Sequence, residues 1–130
     1  MILLLCIDEK DGMLFGGRRQ SKDRALRERM LSLAASSRLI VNAFTAKQFE
    51  EEGFVLSEDP AGEAMAGDLV FLEDLPLPKE NIEKIVLYHW NRRYPADRFF
   101  DRKLLDGRKK VKTTDFIGSS HEKITEEIWE

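Results

Sequence analysis

Met1-Ile-Leu-Leu-Leu-Cys-Ile7, cut off by Asp8-Glu-Lys-Asp11, is the stretch from which the fold is read. Seven apolar residues in succession show no polar alternation. A strand built from them is buried on both faces, as a central strand of a parallel sheet is. A membrane helix needs ~20 such residues, and an export signal begins on basic residues and ends on small ones. The run has neither property. The expectation is a buried strand in a cytoplasmic protein that uses no membrane.

Working outward, Asp11-Gly12 is turn chemistry and Gly16-Gly17 marks a flexible loop. Ser21 is placed to cap a helix running to about Ala35, in which Leu26, Met30 and Leu33 form one apolar stripe. A short strand over 38–42 follows, then a brief helix through Glu52 with Thr45 as its N-cap, stopped by Gly53. Phe54-Val-Leu56 adds a short strand, Pro60 opens a helical stretch over 61–66, and Asp68-Leu-Val-Phe-Leu72 is a further strand. The longest strand signal is 83–93, with Ile85, Leu87 and His89 on one face and Val86, Tyr88 and Trp90 on the other. Residues 107–114 read as a strand whose lysines suit a sheet edge. At the C-terminus the capping box Ser119-Ser-His-Glu122 favours a helix over 123–129, with a closing strand as the alternative. Helices interleave with the early strands, and the late strands follow one another. That order predicts one α/β domain over residues 1–130: a mixed, mostly parallel sheet flanked by helices, with an antiparallel C-terminal part. Its expected core includes Leu4, Cys6, Ile40, Val70, Leu72, Val86 and Leu87.

Composition narrows the chemistry. The 130 residues hold one cysteine and two histidines, so no internal disulfide forms and no zinc cluster or two-metal nuclease set can be assembled. The net charge of −3 hides three blocks. Residues 17–29 carry +4, residues 48–83 carry −10, and residues 84–112 carry +7. Nucleic-acid binders usually show a basic balance overall. The acidic total therefore favours an anionic small molecule over nucleic acid as partner, and an edge strand leaves a homodimer open.

The order of these segments resembles dihydrofolate reductase. The strand over 2–8 with Asp8, Gly12-Met13 and a glycine loop entering a helix is similar to that family's start. Ile85-Val-Leu-Tyr-His-Trp90, followed by Asp97-Arg-Phe-Phe-Asp101, resembles its sixth strand and the Asp-Thr-x-Phe-Pro segment beyond. Ser119-Ser-His121 is similar to the beginning of its last strand, so the resemblance implies a closing strand where local chemistry favours a helix. It also implies a pterin-holding carboxylate at the first helix, a role open to Asp23 after a one-residue gap; the loop Trp before it is absent. The family's Gly-Arg-x-Thr, which binds NADPH phosphates, is here Asn42-Ala-Phe-Thr45, which keeps the Thr and lacks the Arg. Its paired glycines are here Glu73-Asp74, two carboxylates where a pyrophosphate would sit, and such a contact repels by about 1 kcal/mol in water and more when buried. The family's reductases also need more chain than is present. The departures imply a scaffold without NADPH, without reductase activity and without another cofactor.

The most distinctive segment is Gly16-Gly-Arg-Arg-Gln-Ser-Lys-Asp-Arg24. A glycine loop feeding a helix start, with guanidinium groups beside it, suits an anion. The expected ligand-binding residues are Gly17, Arg18, Arg19, Gln20, Asp23 and Thr45; the plain alternative is a solvated basic loop and a capped helix. His89 reads as a core histidine, and His121 as an exposed residue in a helix's first turn, although Gly118-Ser-Ser120 before it supplies two hydroxyls. Neither has an acid and a nucleophile nearby in sequence that would suggest a triad. Tyr94-Pro95 with Arg92, Arg93 and Arg98 reads as a turn with extended arginines, and Cys6 as core. No catalytic or metal-binding residue is assigned. The expectation is a ligand-binding or regulatory domain. The alternatives are an enzyme acting on a pterin-like or nucleotide-like substrate at 16–24, or an RNA-associated protein using 84–112.

Overall fold

The opening apolar run forms β1 (Ile2–Ile7) in a computed structural model that describes all residues, Met1–Glu130. Its side chains alternate between two cores: Leu4 and Cys6 face one, Leu3, Leu5 and Ile7 the other. Both cores exist because β1 lies inside a seven-stranded sheet. Its neighbours are β6 (Leu69–Phe71) and β7 (Lys84–His89), both parallel to it. Outside β6 lie β4 (Leu39–Val41) and β5 (Phe54–Leu56), again parallel, so five strands share one direction. Beyond β7 the direction reverses through β10 (Ile124–Trp129), and the sheet ends at β9 (Lys110–Phe116), in the order β5-β4-β6-β1-β7-β10-β9. All seven residues expected in the core are buried.

One face is covered by α1 (Arg24–Leu33), which buries Leu26 and Met30 against Leu4, Phe71 and Val86. The other is covered by α3 (Pro60–Glu63), the irregular segment after β6, and a 3-10 turn at Arg102–Leu105. A second, three-stranded sheet, which has no periodic signal in sequence, joins β2 (Gly12–Phe15), β3 (Arg18–Arg19) and β8 (Arg98–Phe99). The loop expected at Gly16-Gly17 is the tight turn of its first hairpin. Both glycines have positive φ, 57° and 72°, which suits the twist of a two-residue hairpin connection. No helix is long and apolar enough to cross a membrane.

Three local expectations are corrected. Asp23, not Ser21, caps α1, its carboxylate accepting the N–H of Leu26 at 3.2 Å. Asn42, not Thr45, caps α2 (Ala43–Ala46), because the helix begins directly after β4 and Thr45 already sits within it, fully buried. The C-terminal segment is the strand β10 rather than a helix. Pairing with β7 on one side and β9 on the other satisfies its backbone and buries Ile124, which outweighs a capping box on a segment too short to hold a helix by itself. His121 is consequently buried rather than exposed in a first turn, and His89, half-buried, bonds Glu127 at 2.8 Å.

Candidate functional site

Parallel sheets present their binding residues where the strands end. Here Asp8 follows β1, Asn42 follows β4, Glu73-Asp74 lie just beyond β6, and β7 leads to Trp90. The β2–β3 hairpin lies across this edge. Asp8 anchors it, accepting the N–H groups of Lys10, Gly12 and Tyr94 and the Gln20 side-chain amide. Burial acts to raise the Asp8 carboxyl, but these donors hold it below the ordinary value. A Cβ at Gly12 would stand 2.6 Å from the Ala96 Cβ and 2.9 Å from Asp8 Oδ2, so the hairpin root approaches the edge as only glycine permits.

From the hairpin, Arg19 reaches Glu73 through Nε at 3.1 Å and a terminal nitrogen at 3.1 Å, donates to the Phe44 carbonyl at 2.7 Å, and stacks on the Phe44 ring. Gln48 donates to Glu73 at 3.0 Å, and Asn42 to Asp74 at 2.9 Å. Burial pushes the Glu73 carboxyl up from its ordinary value, against the pull of Arg19. This strand end does not fit a dinucleotide pyrophosphate: two carboxylates occupy it, no helix N-terminus follows, and the nearest guanidinium is already paired.

The start of α1 is built differently. Asp23, 1% exposed, accepts the N–H of Leu26, Ser119 and Ser120, the Ser119 hydroxyl, and His121 Nδ1 at 2.9 Å. Burial acts to raise it, and donation from His121 and these N–H groups more than offsets that, leaving the carboxyl well below the usual range. A Cβ at Gly118 would meet Asp23 Oδ2 at 2.5 Å, so the turn before β10 closes onto the carboxylate because residue 118 has no side chain. An ionised carboxylate only accepts, so His121 Nδ1 carries a proton and donates it to Asp23, and Nε2 faces the other way. Two hydroxyls converge on Nε2, Ser21 at 2.9 Å and Tyr94 at 3.1 Å, and Trp90 stacks on the imidazole at 4.5 Å.

Of the residues expected to bind a ligand, Arg19 and Thr45 lie together beside Phe44, Gln20 is turned to Asp8 and the Pro95 carbonyl, and Asp23 belongs to the His121 cluster. Arg18 is exposed, and Gly17 has open space on its Cβ side. A wholly polar cleft of about 330 Å³, lined by Lys22, Asp23, Arg24, Arg27, Glu50, Ser119 and Ser120, opens beside Asp23. Sequence reasoning missed Ser21, Tyr94, Trp90 and His121 as one cluster. The available signal was the pair of placements that set Asp23 at the first helix and Ser119-Ser-His121 at the last strand.

No family model matches the chain, and no curated protein matches it in sequence. Among solved structures it is similar to the dihydrofolate reductase from Enterococcus faecalis complexed with NADP(H) and RAB-propyl. The identity is 11%, the TM-score 0.62, and the match covers 98% of this chain and 94% of that one. The match spans nearly the whole of that reductase, so the expectation that the family's framework needs more chain than is present is corrected, and the closing strand the resemblance implied is there as β10. This chain has a dihydrofolate-reductase-like fold.

Proposed function

We propose that the protein is a cytoplasmic small-molecule-binding protein on a dihydrofolate-reductase-like scaffold, with no NADPH-dependent reductase activity. The observation that carries this reading is the end of β6, where Glu73, paired to Arg19, and Asp74 stand in place of a phosphate-accepting glycine turn. The ligand is an anionic small molecule taken along the hairpin-to-helix segment, where Arg18 is exposed and Asp23 borders the polar cleft, while Gly17, Gln20 and the neighbours Arg19 and Thr45 lie outside that cleft. Its charged group is met by exposed Arg18 and by Lys22 and Arg24 at the polar cleft, while Asp8 holds Gln20 in place. The +4 block over 17–29 draws an anion to this side of the molecule.

Two measurements test the reading. Calorimetry with millimolar NADPH gives no saturable heat; a dissociation constant below about 100 μM, near −5.5 kcal/mol, overturns the reading. Native mass spectrometry of protein purified from its own cells shows a retained small anion, which Arg18→Ala weakens. A chain that arrives bare, and is not stabilised by any anion in a thermal-shift panel, ends it.

A further inference from the structure

From the geometry around His121 we infer that Ser21, His121 and Asp23 form a serine-type acyl-transfer site for carboxylic esters. The inference stands on side-chain placement and does not rest on the binding of an anion. The three residues make one directed relay: Asp23 Oδ2 holds Nδ1 of His121 at 2.9 Å, and Nε2 faces Ser21 Oγ at 2.9 Å. That is nucleophile, base and orienting acid at hydrogen-bond spacing, an arrangement recognised by roles and not by chain order. The base is rigid. Its side chain is 1% exposed, its ring is stacked on Trp90, and its acid is fixed by three backbone N–H groups. The nucleophile is half-buried and lies on the loop between β3 and α1. Just after it, the backbone N–H groups of Lys22 and Asp23 make no hydrogen bond within the chain, and both residues line the adjoining polar cleft.

The chemistry balances with water as the second reactant. Ser21 Oγ forms a bond to the ester carbonyl carbon as its proton passes to His121 Nε2. The carbon–oxygen bond to the alcohol then breaks, and the imidazolium returns the proton to the departing alkoxide. A water attacks the acyl-serine by the same route, releasing the carboxylic acid and restoring the Ser21 hydroxyl. Asp23 is a positioning residue, and Tyr94 a second hydroxyl on the same nitrogen.

The test is covalent labelling with a fluorophosphonate, read by peptide mass spectrometry, together with the burst of p-nitrophenol from p-nitrophenyl acetate. Folded wild-type protein is expected to be labelled at Ser21 and to give a stoichiometric burst. Ser21→Ala keeps the melting temperature and loses both signals, and His121→Gln slows labelling by about a hundredfold or more. Should His121→Gln fail to fold, Ser21→Ala, which leaves the imidazole and its carboxylate in place, decides. An unlabelled wild type, or label that survives Ser21→Ala, overturns the inference.

Discussion

Asp23 and Glu73 stand at the same edge of one sheet, both buried, and they respond to burial in opposite ways. Asp23 is held ionised far below its usual range, whereas Glu73 is pushed upward. The difference lies in the donors. Asp23 faces three backbone N–H groups and an imidazole, none of which needs to give up a charge or much freedom to serve it. Glu73 relies on side chains, Arg19 from the hairpin and Gln48, whose own desolvation and ordering offset what they contribute. Burial alone does not set the state of a carboxylate; the number and rigidity of its donors do.

A carboxylate with no donors at all marks the outer limit of that contrast. Val70→Asp would place one mid-strand in β6, between β4 and β1, at a position with no exposure. A loss of more than about 4 kcal/mol is expected in urea unfolding; wild-type melting would mean that β6 is not buried on both faces. Asp23→Ala comes next, at about 3–5 kcal/mol, because it orphans His121 and the donors around it and removes the cap of α1. Its pH signature has a definite sign. Since the folded value lies below the unfolded one, the stability Asp23 supplies is present above the ordinary carboxylate value near ~3.9 and is lost as pH falls toward the folded value. Asp23→Ala therefore unfolds with a flatter acid limb, and an unchanged limb would break the comparison. Glu73→Gln is the smallest, under about 1 kcal/mol at neutral pH, because the burial that pushes this carboxyl upward offsets much of what its pairing with Arg19 contributes. Its sign is opposite: the wild type loses stability relative to this variant as pH rises from ~4.3 through the raised value. A loss as large as that of Asp23→Ala would show the Arg19 pair to be the stronger support.

The strands β1, β6 and β7 were legible because unbroken apolar runs leave no other way to bury both faces, and the stripe Leu26–Met30 marked α1. The last strand was legible only through resemblance. Ser119 and Glu122 form a sound local cap signal, and what overrides it is a ladder with β7 and β9 that no local window contains. The two-residue strands β3 and β8 are too short to carry a period. The candidate site was half legible. Asp23 is legible as a candidate from its place before the first helix, whereas Ser21 carries the cap signal that Asp23 uses and His121 lies in a capping-box segment, and their meeting depends on where the last strand docks.

The hydrogen bond between Asp23 and His121 spans 98 positions of the chain. Closing so long a loop comes late and costs entropy that only finished packing returns. The relay is therefore absent from any species in which β10 is undocked, however much of the parallel half has formed. Reactivity at Ser21 would serve as a timer for folding, silent in intermediates and switched on by the final strand.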